Sequence, residues 1–256
     1  MARIFITGSS DGLGLIAGRL LVEWGHRVTL HARDEARAED ARRALPQAET
    51  VVIGDASSIA QTRRMADQVN ALGHHDAVIH NVGVGSRRGR IETEDGLSQV
   101  FAVNVLAPYL LTALIARPDR LVYLSSGMHA GAEARLDDAQ WEKRRWNGSQ
   151  AYSESKLFDV MLAFAIARRW PLVKSNTMTP GWVPTKMGGA GAPDDLALGA
   201  VTQAWLAASD DPEATVSGRY FYHQRQQRSN PAAERTGLQD QLLDYCATLT
   251  GVALGG

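Results

Sequence analysis

Short apolar runs alternate with helical patterns along the whole chain. Five runs of four to six residues are rich in Val, Ile and Leu and are each followed by Gly, Asp, Asn or Ser, which is typical of buried strands. The predicted strands cover residues 3–7, 27–31, 50–53, 77–80 and 120–125. The predicted helices between them cover residues 13–24, 35–44, 59–72 and 97–116. This alternation predicts a mostly parallel sheet with helices on both faces.

The second half of the chain continues in the same way. A helix is predicted over residues 153–169, and strands are predicted near 173–178 and 219–222. No proline-rich or serine-rich linker divides the chain, and no internal repeat is present, so the sequence predicts one domain over residues 1–256. The expected fold is α/β, a single-domain, doubly wound parallel sheet of about seven strands.

Two segments interrupt this alternation. Residues 128–150 are polar and carry Trp141 and Trp146, whereas residues 182–195 contain Trp182, Met187, three glycines and two prolines. Segments of this length in a compact domain are usually functional loops, and these two are expected to form the substrate side of a site. Their aromatic side chains favour an apolar or aromatic substrate, although they could equally pack a lid, and the segments could be plain surface excursions.

Composition and charge narrow the class of protein. The 256 residues are 45% hydrophobic and 21% charged, with a formal net charge of -1, so no overall field attracts nucleic acid or acidic membranes. The basic group Arg87, Arg88 and Arg90 is expected to be a solvated face. Cys246 is the only cysteine and is expected to be a buried small hydrophobe in a helix. With no signal peptide and no apolar run long enough to span a membrane, the expected protein is soluble and cytoplasmic.

A glycine-rich loop follows the first predicted strand and leads directly into a helix. Residues 7–14 read TGSSDGLG. Gly8 permits a tight strand-to-helix turn, Gly12 lets the backbone approach a pyrophosphate, and Gly14 allows close packing of helix on strand. The helix N-terminus offers N–H groups and a positive dipole end to the phosphates. This placement predicts a Rossmann-type dinucleotide site that also includes Ser10, Asp11 and Leu13.

The end of the second strand indicates which dinucleotide is bound. Ala32 stands where a carboxylate would select NAD(H), and Arg33 follows it. The sequence therefore favours NADP(H) over NAD(H), with Arg33 holding the 2′-phosphate. Asp34 leaves an alternative open, because it could pair with Arg33 or itself meet the ribose.

Several further motifs resemble the short-chain dehydrogenase/reductase family, and the resemblance covers almost the whole chain. The loop over residues 7–14 resembles the family's TGxxxGxG motif, and residues 80–83 resemble its NNAG segment, with His80 in place of the first Asn and Val82 in place of Ala. Residues 152–156 form a YxxxK motif, and residues 180–185 resemble its PGxVxT stretch. The resemblance adds the following residues to the cofactor site: Asp55, Ala56, Asn81, Gly83, Tyr152, Lys156, Pro180, Gly181, Val183 and Thr185.

The same resemblance implies a catalytic set of Asn104, Ser126, Tyr152 and Lys156. Tyr152 and Lys156 are four residues apart and so share one face of a helix. A free phenol has a pKa of about 10, and a nearby ammonium favours the phenolate, so the pair suits general acid–base chemistry near neutral pH. The resemblance implies that Lys156 also donates to the nicotinamide ribose, that Ser126 donates to the substrate oxygen, and that Asn104 continues a proton path through an ordered water.

Ser126 lies 26 positions before Tyr152, farther than is usual in the family. This insertion, together with the stretch SGRYF over residues 217–221, resembles the branch of retinol dehydrogenases and protochlorophyllide reductases. Fold-level similarity of this kind does not identify a substrate. The expected partner is therefore a small carbonyl or alcohol compound.

Other interpretations compete with a dehydrogenase. The chain could be a catalytically silent dinucleotide-binding sensor or scaffold, although such proteins typically lose the Tyr or the Lys. It could be a nucleotide-sugar epimerase or dehydratase, although those usually carry a longer C-terminal substrate domain. His129 could line the substrate pocket or be a solvated loop residue. His74 and His75 should diverge, and no Cys or carboxylate cluster has ligand spacing, so no metal is expected.

The quaternary state is left open by the sequence. The helix that carries Tyr152 has a face bearing Phe158, Met161, Leu162 and Ala165. That face could pack against a second subunit in a homo-oligomer or simply against the sheet.

Overall fold

The structure is a computed structural model that describes residues 1–85 and 89–255. Arg87 and Arg88 of the predicted basic group lie outside the described residues. Among the described residues, none of the helices is both long and apolar enough to cross a bilayer.

Eight strands form one sheet in the order β3-β2-β1-β4-β5-β6-β7-β8. All neighbouring pairs are parallel except β7 and β8. The strands are β1 Arg3–Ile6, β2 Arg27–Ala32, β3 Thr50–Ile53, β4 Ala77–His80, β5 Arg120–Leu124, β6 Lys174–Thr179, β7 Tyr220–Tyr222 and β8 Arg225–Gln227. The predicted α/β architecture with a doubly wound sheet is confirmed. The additional eighth strand was missed because its three residues are polar and exposed and so carry no hydrophobic pattern.

Eight α-helical segments are present in the described chain. They are α1 Gly12–Glu23, α2 Glu35–Ala44, α3 Ile59–Ala71, α4 Gln99–Phe101, α5 Ala107–Leu114, α6 Gly148–Arg169, α7 Leu196–Ala208 and α8 Thr236–Thr250. The helix predicted over residues 97–116 is divided, because a π-helical turn, Ala102–Leu106, joins α4 to α5. Helix α6 begins five residues earlier than predicted, where the side chain of Asn147 caps it by accepting a hydrogen bond from the Gln150 N–H.

Helices cover both faces of the sheet and bury two separate apolar clusters. Helices α3, α5, α6 and α8 pack on one face, and α1, α2 and α7 pack on the other. Phe158, Met161, Leu162 and Ala165 are each at most 1% exposed within the single chain, in the cluster that also contains residues of α8. Their face of α6 is therefore not available to a partner subunit, and a homo-oligomer would need another surface.

Candidate active site

The glycine-rich loop lies at the carboxyl edge of the sheet, between β1 and α1. Gly8 has a φ of 62°, and a Cβ there would lie 2.8 Å from the Val82 Cα. A Cβ on Gly14 would lie 2.5 Å from the Asn81 Nδ2, so both positions require glycine. Gly12 has a φ of 55°, and a Cβ on it would meet none of the described atoms within 4 Å. The loop is therefore tight on the protein side and open where a ligand would approach.

Two buried or half-buried side chains brace this loop, and one of them was not predicted. Asn81 donates through Nδ2 to the carbonyl oxygens of Thr7 and Gly8, at 2.9 Å each. His31, at the end of β2, accepts a hydrogen bond at Nδ1 from the Gly8 N–H at 2.8 Å. Burial lowers the pKa of His31 and keeps the ring neutral, as an acceptor nitrogen requires. His31 lies in a predicted strand, but nothing in the sequence indicates the direction of its ring.

Charged side chains gather where the adenosine end of a dinucleotide would lie. Arg33 is 72% exposed in its side chain and pairs with Asp34 at 3.0 Å, while Asp34 also caps α2 by accepting from the Arg37 N–H. Of the two roles left open for Asp34, the structure shows the pairing with Arg33. Arg37 was not predicted as a site residue, yet it contacts Asp11 at 2.6 Å and Ser10 at 3.3 Å. The sequence carried no signal for Arg37, because Arg33 precedes α2 and only the fold brings the Arg37 guanidinium to Asp11.

Asp55 and Ala56 follow β3, as predicted. The Asp55 carboxylate accepts a hydrogen bond from the Ser57 N–H at 2.8 Å, which shapes the turn before α3. Ala56 is 5% exposed and belongs to the apolar cluster beneath that turn. Asp55 is only half-buried, and it is the member of this pair that could reach a ligand.

Tyr152 and Lys156 lie one turn apart on α6. The Lys156 Nζ is 5.9 Å from the centre of the Tyr152 ring, and Lys156 itself is 4% exposed. The ammonium donates to the Leu124 carbonyl oxygen at 2.7 Å and to the Asp159 Oδ2 at 2.8 Å. A Cβ on Gly83 would lie 3.5 Å from the Lys156 Nζ, so glycine at 83 leaves room beside the ammonium. The predicted pair is thus brought to the same edge of the sheet as the glycine-rich loop.

Ser125 and Ser126 follow β5, and Ser125 joins α6 to the sheet. The Ser125 Oγ donates to the Lys156 carbonyl oxygen at 2.7 Å, and the Ser125 N–H donates to Met178 on β6. Ser125, the residue after β5, therefore ties the end of that strand to the helix that carries Tyr152. Ser126 is half-buried and begins a 3₁₀ turn, Gly127–Gly131, with its hydroxyl oxygen at 3.3 Å from the Met128 N–H.

His129 within that turn is neither a pocket residue nor a solvated one. It is 1% exposed, its Nδ1 lies 2.7 Å from the Ser126 carbonyl oxygen, and its Nε2 accepts from the Asn230 N–H at 3.3 Å. Asn230 also donates through Nδ2 to three carbonyl oxygens between residues 129 and 132. A residue about 100 positions away thus anchors the turn after Ser126, which no local pattern could have indicated.

Asn104 lies in the π-helical turn between α4 and α5. Its Oδ1 accepts from the Val84 N–H at 2.8 Å, and its Nδ2 donates to the Val84 carbonyl at 3.1 Å and to the Ser155 Oγ at 3.0 Å. Single π turns inside α-helices occur frequently at functional sites. Here the turn directs a 1%-exposed amide at the segment after β4 and at α6, so that Asn104 holds the two together.

The stretch after β6 wraps beside the start of α7. Gly181 has a φ of 83°, and Val183 is 4% exposed. A Cβ on Gly199 of α7 would lie 2.9 Å from Val183, 3.1 Å from the Pro180 carbonyl oxygen and 3.2 Å from Leu13. Three predicted cofactor residues therefore converge on one glycine. Thr185 accepts a hydrogen bond at its hydroxyl oxygen from the Gly188 N–H at 3.0 Å.

Four residues were expected to line an apolar pocket or to pack a lid: Trp141, Trp146, Trp182 and Met187. They differ in how deeply they are buried. Trp141 is 4% exposed, packs under the Arg144 guanidinium at 3.9 Å and against Trp146, and donates to Glu154 at 3.1 Å. It fits the packing interpretation. Trp182 and Met187 are 60% and 39% exposed and remain candidates to contact a substrate, whereas Trp146 is half-buried against Trp141.

Cys246 and the histidine pair lie away from this edge. Cys246 is fully buried, as predicted, and burial raises the pKa of its thiol. His74, Asp76 and Asp119 bring ligand-type atoms within 4.8 Å of one another at the amino end of β4 and β5, an arrangement that sequence spacing did not suggest. Asp76 already accepts a hydrogen bond from the Arg3 N–H at 2.6 Å. The absence of a metal stays a prediction.

Comparisons with known proteins agree with this arrangement. A family model described as short chain dehydrogenase matches residues 2–195. An uncharacterized oxidoreductase of Emericella nidulans is 44% identical over 261 residues that cover 100% of both chains. Retinol dehydrogenase 14 of Homo sapiens is 30% identical over 97% of this chain and 86% of its own. A crystal structure of an uncharacterized protein from Mycobacterium paratuberculosis superposes with a TM-score of 0.84 at 26% identity, covering 100% of this chain and 96% of the other.

Proposed function

Because the chain belongs to the short-chain dehydrogenase/reductase family of oxidoreductases, we propose that it transfers a hydride between NADP(H) and a carbonyl or alcohol substrate, with Tyr152 as general acid and base. The observation that carries this proposal is the position of the Lys156 Nζ, 5.9 Å from the centre of the Tyr152 ring at the carboxyl edge of the sheet. Ligands bind at this edge in open α/β sheets.

The residues at this edge fit a dinucleotide. A Cβ on Gly12 would meet none of the described atoms within 4 Å, so this glycine gives a phosphate close access to the N-terminus of α1. Asp11 precedes α1, and its carboxylate is paired with Arg37 and Lys186 instead of capping the helix. The N–H groups of the first turn are therefore left to a bound anion. Gly83, beside Lys156, and the stretch 180–185 would hold the nicotinamide end.

The chemistry assigned to the side chains is proton exchange. When bound, the nicotinamide supplies or accepts the hydride. In reduction Tyr152 donates its phenolic proton to the substrate oxygen, and Ser126 donates a hydrogen bond to the same oxygen as negative charge develops on it. Lys156 stabilises the phenolate that remains, and Asn104 holds the backbone of Val84 beside it. In oxidation the phenolate accepts the proton instead.

The preference for NADP(H) rests on two guanidinium groups, those of Arg33 and Arg37, which lie near the start of α2. Neither Ala32 at the end of β2 nor Gly54 after β3 offers a carboxylate to a ribose 2′-hydroxyl. Arg33 and Arg37 together suit a 2′-phosphate. Dissociation constants for NADPH and NADH, measured by quenching of tryptophan fluorescence, should differ in favour of NADPH. Arg37→Gln should weaken NADPH binding and leave NADH binding nearly unchanged. Equal affinity for the two dinucleotides would overturn the preference.

The substrate assigned to this site is an apolar carbonyl or alcohol compound. The support is the exposure of Trp182 and Met187 in the segment after β6, beside the Pro180 stretch expected at the nicotinamide. Exposed aromatic and thioether side chains next to a polar reaction centre favour apolar ligands. A panel of aldehydes, ketones and quinones, followed by the loss of reduced-nicotinamide absorbance, would test this class.

The decisive experiment replaces the phenol. Tyr152→Phe should bind NADPH with unchanged affinity but lose roughly two to four decades of turnover, because an acid–base group has been removed. Tyr245→Phe on α8 is the matched control and should retain turnover. Full turnover in Tyr152→Phe would remove Tyr152 from the mechanism. A native protein that binds NADPH yet turns over none of the panel would favour the sensor or scaffold alternative.

A further inference from the structure

We propose that Asp159 is a positioning residue for the reaction, a buried counter-ion that holds the Lys156 ammonium in place and controls how strongly it acts on Tyr152. This inference rests on the proposed function, because it concerns the same proton exchange. It adds a third side chain to the pair that the YxxxK motif supplies.

The geometry of α6 places the three side chains together. Tyr152, Lys156 and Asp159 follow at i, i+4 and i+7, so they lie along one face of the helix. The Lys156 Nζ and the Asp159 Oδ2 are 2.8 Å apart, and the two side chains are 5% and 3% exposed. The Leu124 carbonyl takes a second proton of the ammonium at 2.7 Å. Two of the three N–H bonds are thereby fixed, and the third can point toward the space beside Gly83.

The Asp159 carboxylate is important because the Lys156 ammonium beside it is buried. A buried ammonium without a counter-ion is strongly disfavoured, and opposite charge is what restores it. Burial would lower the pKa of Lys156, but the charges of Asp159 and Tyr152 and the hydrogen bond to Asp159 together outweigh it and raise that pKa. Burial raises the pKa of Asp159 to about 7, although Lys156 acts in the opposite direction. Lys156 therefore keeps its charge, and the carboxyl beside it changes charge near neutral pH.

Among the described residues, the other titratable groups near the pair lie on α6 itself and on β4, β5, α5 and α8. Tyr152 faces Lys156 from the same helix, and Tyr123 approaches Asp159 from β5. The Tyr123 hydroxyl oxygen lies 2.7 Å from the Thr112 Oγ1. That Oγ1 lies 3.0 Å from the His80 Nε2 on β4. Burial raises the pKa of Tyr123 and lowers that of His80 to about 3, so both stay neutral through the range in which Asp159 titrates. From α5 and α8, Tyr109 and Cys246 interact with each other, and burial raises the pKa of both.

The consequence is a pH-dependent balance of charge at the catalytic pair. With Asp159 ionised, its negative charge offsets part of the attraction that Lys156 exerts on the phenolate. With Asp159 protonated, or replaced by a neutral residue, the ammonium acts on Tyr152 without that offset. Ketone reduction needs the neutral phenol, so the alkaline limb of its rate profile should lie at higher pH in the native protein than in a variant without the carboxylate.

Nuclear magnetic resonance of the unliganded protein tests this directly, because the chain has only four lysines, Lys143, Lys156, Lys174 and Lys186. With isotope-labelled lysine, Lys156→Arg identifies the Lys156 signal. In the native protein that signal should shift once near neutral pH, as Asp159 titrates, and again at high pH, as Lys156 itself loses its proton. In Asp159→Asn the first step should vanish and the second should fall by about one to three pH units.

The matched control is Asp240→Asn, which breaks an ion pair between α8 and the last turn of α6, where Asp240 contacts Arg168 and Arg169. It should leave both titration steps unchanged. If Asp159→Asn fails to fold, the native titration alone decides, because a Lys156 signal with no step near neutral pH contradicts the proposal. Unchanged Lys156 titration in Asp159→Asn contradicts it as well.

The rate profile separates this inference from the proposed function. Asp159→Asn should move the alkaline limb of ketone reduction to lower pH. It should also reduce the turnover rate more than it reduces the affinity for NADPH. Loss of turnover in Tyr152→Phe with no effect of Asp159→Asn on the profile would reject the inference alone. Full turnover in Tyr152→Phe would reject the proposed function, while the Lys156 titration would still report whether Asp159 is its counter-ion.

Discussion

Two segments leave the carboxyl edge of the sheet, one after β5 and one after β6, and they are held by different kinds of contact. The β5–α6 segment covers residues 125–147, and the β6–α7 segment covers residues 180–195. The first is built around buried charges and a buried tryptophan. The second is largely exposed, and its ion pair to the glycine-rich loop joins Lys186, 84% exposed, to Asp11.

The β5–α6 segment is fixed by one arginine. Arg144 contacts Asp138 at 2.9 Å and Glu154 at 2.8 Å, and those two carboxylates are 3% and 7% exposed. The same guanidinium lies 3.9 Å from the Trp141 ring, and Trp141 holds a φ of 56°. Three partners hold the arginine at once, so buried polar contacts tie this segment to α6.

The β6–α7 segment depends on backbone turns and glycines. Trp182 donates to the Gly188 carbonyl at 3.0 Å while its ring stays 60% exposed. Exposed ion pairs such as Lys186 with Asp11 contribute little to stability. Few buried contacts hold this segment, so it is the one that can rearrange when a dinucleotide or substrate binds. The two segments thus differ in what holds them: buried ion pairs fix the first, whereas backbone turns and exposed side chains form the second.

The largest effect is expected from Arg144→Met. Removing the guanidinium leaves Asp138 and Glu154 as buried charges without their partner, which should lower the free energy of unfolding by about 3 kcal/mol. Urea denaturation measures this change. Arg145→Met, at the exposed neighbouring position, is the control and should change stability by less than about 0.5 kcal/mol. Similar losses in the two variants would mean that the β5–α6 segment is no more fixed than the surface around it.

A smaller effect should appear on acidification. Burial would raise the pKa of Asp138, but the Lys143 N–H, the Arg144 side chain and the N–H groups of Glu142 and Arg144 lower it to about 2. A carboxyl with a lowered folded-state pKa stabilises the fold above its unfolded pKa, and that contribution is lost as the pH falls from about 4 toward 2. The free energy of unfolding, measured across this window, should therefore fall less steeply for Asp138→Asn than for the native protein. Parallel curves would show that the carboxylate is not engaged.

The smallest effect on stability, and the clearest on binding, is expected in the β6–α7 segment. A Cβ on Gly188 would lie 2.0 Å from the Val183 carbonyl oxygen, whereas a Cβ on Gly191 would meet none of the described atoms within 4 Å. Gly188→Ala should cost about 1 kcal/mol and weaken NADPH binding, because the segment must shift away from the Pro180 stretch. Gly191→Ala is the matched control and should bind NADPH as the native chain does. Equal NADPH affinity in both variants would show that this segment does not cover the cofactor.

Much of the fold was predictable because its signals are local. The strands Thr50–Ile53 and Ala77–His80 and the helix Glu35–Ala44 have their predicted bounds, since each is a continuous apolar run or is closed by a capping residue. Strand β8 and the π-helical turn at Asn104 were not predictable. The first has no apolar pattern, and the second depends on hydrogen bonds that Asn104 makes to Val84 and Ser155, 20 and 51 residues away.

The candidate site likewise has one part that local sequence predicts and one part that depends on residues distant in sequence. The glycine loop and the Tyr152–Lys156 pair could be recognised because their residues are close in sequence and their spacing is the spacing of a turn or a helix. Asp159 follows the helical spacing of Tyr152 and Lys156 but went unremarked, and Arg37 had no such signal. Only the fold shows that Arg37 points at Asp11 and that Asp159 is buried beside the ammonium. His129 was misplaced because Asn230, its partner, comes about 100 residues later.

The sequence by itself determined the βαβ alternation, the phosphate-binding turn and the placement of a phenol one helical turn from an ammonium. These depend on backbone conformation and on side-chain spacing along one element. The tertiary structure alone decided which charges are buried, which partner each one has, and which of the two segments is tied down by buried contacts. Burial and pairing depend on what other elements bring to the same place, and the energy of a charge changes far more with those surroundings than with its neighbours in the chain.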